Sequence, residues 1–220
     1  MIELTNINKS FDKRLILSNI SLHIKKNEFV CITGESGTGK TTLLNIIGLL
    51  DKPDSGEINL FGKTNFSRRN ILKLRRNFFG YIFQDFLLIQ DETVKENINI
   101  SKKYNKKVSV KDINDVLNKV RLDESYLNKK VCYLSGGEQQ RVAIARMMLK
   151  SYELVLADEP TGNLDSKNKK EVIEILKDLK KSGKTIICVT HDKEVYDSAD
   201  RVINLDDLQY KNEVYNNENK

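Results

Sequence analysis

The chain has 220 residues, 39% hydrophobic and 31% charged, with two prolines and no tryptophan. That is an ordinary globular composition for one domain with a sizeable core; no run approaches the roughly 18 apolar residues of a membrane span, and Met1-Ile2-Glu3-Leu4 does not begin a secretion signal. The net charge of +6 and pI near 9.0 do not by themselves identify a nucleic-acid partner, because lysines and acids are interspersed along helix faces, and they suit an anionic membrane surface as well.

In chain order, the first 30 residues read as β-rich. Met1 to Ile7 and the alternating Ser21-Leu22-His23-Ile24-Lys25 predict strands of a small antiparallel sheet, with His23 on the polar side. Phe11 falls in a loop between them, a candidate for stacking on an adenine ring, with a place in the core as the alternative. Glu28 to Thr33 is a short apolar strand. It runs straight into Gly34-Glu35-Ser36-Gly37-Thr38-Gly39-Lys40-Thr41, which fits G-x-x-x-x-G-K-[ST], a P-loop. Glycines there let backbone N–H groups cradle phosphate oxygens. Lys40 can place an ammonium on the β- and γ-phosphates, and the Thr41 hydroxyl can ligate Mg²⁺. A helix from Thr41 to Leu50 would turn its positive dipole end, with Thr42 in its first turn, toward the same anions.

Asp51 to Gly56 is a dense turn signal, and Glu57 to Gly62 a further strand. A basic helical stretch, Arg68 to Arg76, leads into the strand-like run Phe78 to Gln84. Phe86-Leu87-Leu88-Ile89 is apolar without periodicity; it either fills a core or lines a groove for a partner's helix. Residues 91 to 132 then turn helical, with a capping box at Thr93–Glu96 and a helical stripe of Ile113, Val116, Leu117 and Val120. Together with the next helix they predict an inserted helical subdomain over about 91–150.

Leu134-Ser135-Gly136-Gly137-Glu138 opens that next helix with another capping box. Two adjacent glycines weaken a helix start and make sense where backbone amides must approach an anion closely, although nothing in the segment says whose anion it is. Leu154 to Glu159 is an apolar strand ending in two acids. Asp158 is placed to hold a Mg²⁺ shell and Glu159 to orient or deprotonate water. Thr161 to Asp165 is a turn, and Val172, Ile175, Leu176 and Leu179 mark a helix stopped near Gly183. Thr185 to Thr190 is a third apolar strand, followed at once by His191. Three apolar strands thus end in polar chemistry, and in open α/β sheets ligands bind outside the carboxyl ends of the strands. Cys31, Cys132 and Cys188 lack metal or CxxC spacing, so a reduced, cytosolic chain is expected. The asparagine-rich tail from Tyr210 to Lys220 is expected to fray.

With these motifs in place, the chain resembles the ATP-binding subunits of ABC transporters over nearly its whole length. P-loops are widespread, but Leu134-Ser135-Gly136-Gly137-Glu138-Gln139-Gln140-Arg141 between the P-loop and Asp158-Glu159 is specific to that family. The resemblance implies an α/β, RecA-like P-loop NTPase core with an N-terminal antiparallel β subdomain and the inserted helical subdomain, all within one domain over 1–220. It implies that Gln84 senses Mg²⁺ and the membrane partner, that Asp158 is the Walker B acid and that Glu159 is the catalytic glutamate. His191 becomes the switch histidine, Asp165 part of the D-loop, and Phe11 the adenine-stacking aromatic. Ser135, Gly136 and Gly137 would contact the nucleotide of an opposite subunit in a head-to-tail dimer. The stretches Glu138 to Arg146 and Ala157 to Asp165 are similar to the lipoprotein-release, macrolide-export and peptide-antibiotic branch (LolD/MacB-like). Two departures stand out: Phe rather than the commoner Tyr at position 11, and no proline just before the signature.

The implied function is ATP hydrolysis, with ATP and Mg²⁺ bound, energising a separate transmembrane permease from the inner face of the cell membrane, without nucleic acid. The alternative is an ATP-gated regulatory module acting on a membrane partner, as in a cell-division relative of the same branch. A DNA-repair or translation ATPase is disfavoured, because the chain has no long coiled-coil insertion, zinc motif or second ATPase copy.

Overall fold

The computed structural model describes residues 2–103 and 108–209. Met1 and the tail from Tyr210 to Lys220 lie outside the described residues.

The chain opens with β1 (Ile2–Phe11) and β2 (Arg14–Ile24), paired antiparallel. Two residues at positive φ, Asp12 (47°) and Lys13 (67°), close the hairpin. Two left-handed residues suit the strand twist, but Asp-Lys lacks the glycine that usually signals such a turn. Phe11 is therefore the last residue of a strand, not part of a long loop. β4 (Ser55–Leu60) pairs with the other edge of β1 and completes a three-stranded sheet. The expected alternation holds in β2, with Leu22 and Ile24 buried and His23 exposed.

The second sheet holds β3 (Phe29–Thr33), β5 (Phe79–Ile82), β6 (Leu154–Asp158), β7 (Thr185–Val189) and β8 (Arg201–Asn204) in the order β5-β6-β7-β3-β8. Every pairing in it is parallel. Parallel strands covered on both faces read as continuous apolar runs, which is why β3, β6 and β7 were visible without alternation. Inside those runs the residues still divide. Phe29, Cys31, Ile186 and Cys188 join the core formed with α5 (Gly136–Met148) and α6 (Ser166–Lys181). Val30, Ile32, Ile187 and Val189 join the core on the other face, with α1 (Lys40–Ile47) and the antiparallel sheet. Cys31 and Cys188 are free, buried register partners, and burial pushes the Cys188 thiol well up.

α1 stops at Ile47, three residues before the expected Leu50. Gly48 caps it where a Cβ would lie 2.9 Å from Leu156 and 3.0 Å from Tyr81, so the helix end is pressed onto β5 and β6. α2 (Arg68–Asn77) leads into β5. Between β5 and β6 come α3 (Val94–Asn99), α4 (Val110–Lys119) and α5, each opened by a reciprocal capping box, Thr93–Glu96, Ser109–Asp112 and Ser135–Glu138. The predicted stripe of α4 is buried, and Val172, Ile175, Leu176 and Leu179 bury α6. A short α7 (Lys193–Tyr196) precedes β8.

Candidate functional site

Because the five strands are parallel, their carboxyl ends share one edge. The P-loop follows β3, Gln84 follows β5, Asp158 ends β6 with Glu159 next, and His191 lies two residues beyond β7. One cavity of about 330 Å³ gathers Phe11, Ser36, Gly37, Gly39, Lys40, Thr41, Thr42, Gln84, Asp158 and Glu159, with Ile16 and Val189. Phe11 is 47% exposed at its wall, which excludes the core alternative. Gly34 and Glu35 line a neighbouring concavity with His191 and Asp206, and Thr38 bonds within the loop by donating to the Glu35 carbonyl at 3.0 Å.

The loop is built for an anion. Gly39 caps α1 at φ 96° with no side-chain hydrogen bond, so the first N–H groups of the helix are left for a ligand. A Cβ there would meet Ile16 and Leu17 at 2.8 Å, and only glycine fits. The Lys40 ammonium donates to the carbonyls of Gly34 (2.9 Å) and Glu35 (2.5 Å), folded back over the loop. The Thr41 hydroxyl donates to Asp158 Oδ1 at 3.2 Å. Burial pushes the Asp158 carboxyl above the ordinary aspartate value; the Thr41 bond opposes the shift and the Glu159 charge adds to it. An acid so placed is stabilised by an added cation.

Glu159 sits at φ 44°, an unusual backbone for a non-glycine residue, with its N–H donated to the Val189 carbonyl at 2.9 Å. His191 Nδ1 lies 2.9 Å from Glu159 Oε1, while Glu159 Oε2 is buried without a partner among the described residues. The histidine side chain is 76% exposed, against 15% for the glutamate, so the ring closes over the acid from the solvent side.

Ser135, Gly136, Gly137 and Asp165 stand apart from this cavity. Ser135 and Asp165 are helix caps: Ser135 Oγ accepts from Glu138 N–H at 3.3 Å, and Asp165 Oδ1 accepts from Lys167 and Asn168 N–H at 3.0 and 2.9 Å. Gly137 has an internal reason, since a Cβ would fall 2.1 Å from Asn168 Cγ. Asn168 in turn donates to Asp165 Oδ2 at 2.6 Å within the start of α6 and accepts from the Arg141 guanidinium of α5, which ties the two helices together. At Gly136, by contrast, nothing lies nearer than 3.8 Å to a Cβ.

A family model described as "ABC transporter" matches residues 17–162. The chain belongs to the ABC transporter family. It is 42% identical over 226 residues to an uncharacterized ABC transporter ATP-binding protein of Methanocaldococcus jannaschii, covering 97% of this chain and 96% of that protein. It is 45% identical over 212 residues to a macrolide export ATP-binding/permease protein of Campylobacter jejuni, covering 94% of this chain and 33% of that protein. The chain thus spans about a third of the length of the macrolide-export relatives it matches. Among solved structures, a dimeric post-hydrolysis state of an ATP-binding cassette bound to ADP and Pi matches with a TM-score of 0.83 and 38% identity, covering 93% of this chain and 94% of that one. The chain is an ATP-binding cassette with the ABC fold.

Several groups around the cassette's site carry no short-range sequence signal. Asp206, two residues past β8, accepts from Glu35 N–H at 2.9 Å and buttresses the P-loop, and Gln209 donates to the Thr38 carbonyl at 3.1 Å. β8 is only four residues long and mostly exposed, Arg201-Val202-Ile203-Asn204, so it formed no apolar run that could mark it. Phe86 and Leu87 adopt positive φ (57° and 50°), and Arg146 on α5 holds their carbonyls by donating at 3.2 and 2.7 Å. The turn divides the apolar run: Phe86 and Leu88 pack on the core, while Leu87 and Ile89 are 56% and 51% exposed.

Proposed function

We propose that the chain hydrolyses ATP to ADP and phosphate in a head-to-tail pair with a second copy, and that this drives a transmembrane permease carrying a peptide, lipoprotein or hydrophobic antibiotic. The observation that carries the reading is the 2.9 Å contact of His191 with Glu159, which lines the same cavity as Lys40 and the Thr41–Asp158 pair. The outward-facing Leu87 and Ile89, three and five residues past Gln84, are offered to the permease. The cassette is taken as one domain over 1–220, with about 91–150 as its helical subdomain. It works in the cytoplasm, peripheral to the inner face of the membrane; no helix among the described residues is long and apolar enough to cross one.

In this reading the P-loop amides and Lys40 hold the phosphates, and Phe11 stacks on the adenine. Thr41 Oγ1 and Asp158 Oδ1, with the Gln84 amide in the same cavity, are hard oxygen donors that fit Mg²⁺. An ion held by these residues would supply positive charge to offset that developing on the phosphate oxygens. Glu159 takes a proton from the attacking water through Oε2, which has no partner of its own. His191 fixes the opposite oxygen, so the carboxylate keeps one orientation. Ser135, Gly136 and Gly137 lie outside the cavity of their own chain and serve the nucleotide of the second copy.

In the full chain, Glu159→Gln is expected to slow phosphate release by about 10²–10⁴-fold while nucleotide affinity persists and an ATP-dependent dimer accumulates on size-exclusion chromatography. His191→Ala should slow release with unchanged affinity and melting temperature. Near wild-type turnover in Glu159→Gln would refute the assignment.

A further inference from the structure

We propose that α2 and the cavity beside it dock on anionic phospholipid headgroups. This deepens the peripheral membrane placement proposed above and rests on it. α2 contains five basic residues, Arg68, Arg69, Lys73, Arg75 and Arg76, and no acid, in a chain whose 37 basic and 31 acidic residues are otherwise interspersed. Helix stability accounts for Arg75 and Arg76, which lie in the last turn at the negative end of the dipole, but not for the rest. Arg68 and Arg69 occupy the first turn, where the positive end of the dipole disfavours cations and no acid offsets them. Arg68, Arg69 and Lys73 are exposed, and none forms an ion pair with another described residue.

Apolar groups accompany the cations. Leu74 is the one buried residue of α2. Leu72, one turn from Arg68 and Arg76, is 47% exposed, and Leu50, in the lining of the cavity, is 42% exposed. The cavity, of about 460 Å³, has Ile58, Phe66 and Ile71 in its wall and Lys52 and Arg75 among its lining. Two acids also line it, Asp51, which Lys9 holds at 3.1 Å, and the exposed Glu57. The face is also fixed in place: Arg75 donates through its guanidinium to the Leu49 carbonyl, and Lys150 donates to the Arg75 carbonyl at 3.2 Å. Cations spread along a helix with leucines among them match a membrane interface, where guanidinium forks meet phosphates and short apolar groups enter the acyl boundary. Free phosphate would leave the leucines without a role.

The test uses the full chain without nucleotide, sedimented with vesicles of phosphatidylcholine alone or with a quarter phosphatidylglycerol at about 0.1 M salt. Sedimentation with the anionic vesicles only is expected. Each surface cation contributes roughly a fivefold factor in partition. The triple variant Arg68→Ala, Arg69→Ala, Lys73→Ala should therefore bind about 100-fold less, with unchanged nucleotide affinity and melting temperature. Leu72→Ser should give a smaller loss. Absence of sedimentation, equal sedimentation with both vesicles, or a triple variant that binds like wild type overturns the proposal. If vesicles never bind but the triple variant loses a co-purifying permease, the face belongs to an acidic protein segment. Phosphate release by Glu159→Gln reports separately on the ATPase reading.

Discussion

The starts of α1 and α5 are both helix N-termini rich in glycine, and they solve opposite problems. At α1, Gly39 takes a left-handed conformation and offers no side chain to the orphan N–H groups. At α5, Ser135 and Glu138 satisfy each other's backbone N–H groups in a closed box, and Gly137 makes room for Asn168. The first end is left incomplete for a ligand; the second is finished within the chain. A helix start that binds phosphate within its own chain can thus be told from one that presents an assembled surface by where its caps go. The difference predicts which substitutions touch binding and which touch stability.

The largest effect belongs to the incomplete end. In the proposed reading Lys40 is the cation aimed at the phosphates, where each charge-assisted hydrogen bond is worth about 1.5–3 kcal/mol. Lys40→Ala should weaken ATP binding by about 100-fold or more, with little change in melting temperature, since its present bonds are to two loop carbonyls, one exposed and one part-buried. A fluorescent-nucleotide titration with unchanged affinity would erase the distinction between the two ends. At the finished end the pattern should invert. Ser135→Ala removes an N-cap worth about 1 kcal/mol, a drop of roughly 2–4 °C in melting temperature for a chain of this length. ATP affinity of the monomer should stay at the wild-type level while dimer-dependent turnover falls. If calorimetry shows no loss of stability, the Ser135–Glu138 box is incidental.

The same contrast marks what the sequence could disclose. The P-loop, the two acids and the capping boxes each lie within a few adjacent residues, where local chemistry dictates local structure, and the structure places them as read. Apolar runs disclosed β3, β6 and β7 because both of their faces are buried. Groups that depend on distant chain were hidden. Asp206 reaches Glu35 across 171 positions, and the reason for Gly137 is a side chain on another helix. The β1–β2 turn was hidden for a different reason, since Asp12-Lys13 adopts two left-handed conformations without glycine. The run from Phe86 to Ile89 showed no period because two left-handed residues interrupt it, and they are held by Arg146, sixty positions on.

The smallest effect sharpens the comparison through electrostatics. At the finished end the carboxylates are held below their ordinary values. Burial of Glu138 acts the other way but is outweighed by the hydrogen bonds from Tyr126 and Ser135, and Asp165 is lowered by the Asn168 backbone and side-chain bonds. A carboxylate with a lowered folded pKa adds stability above its unfolded pKa, and that stability is lost as pH falls through the folded value. Asp158 has the opposite sign. Its folded pKa is raised, chiefly by burial, so its ionisation at neutral pH works against the ligand-free fold. Asp158→Asn keeps an acceptor for Thr41 and removes that charge. Without nucleotide or Mg²⁺ it should raise the melting temperature at pH 7, by no more than the roughly 2–4 °C that about 1 kcal/mol moves a chain of this length. The advantage should shrink as pH falls from the raised folded value toward the ordinary aspartate pKa near 3.8, because the wild-type acid is then protonated as well. Glu138→Gln should instead lower the melting temperature at pH 7, with the loss fading in acid. Scanning calorimetry of both variants from pH 7 to 4 decides the matter. If Asp158→Asn melts below wild type across that range, the acid stabilises the empty cradle, and the phosphate end is as complete without its ligand as the signature end.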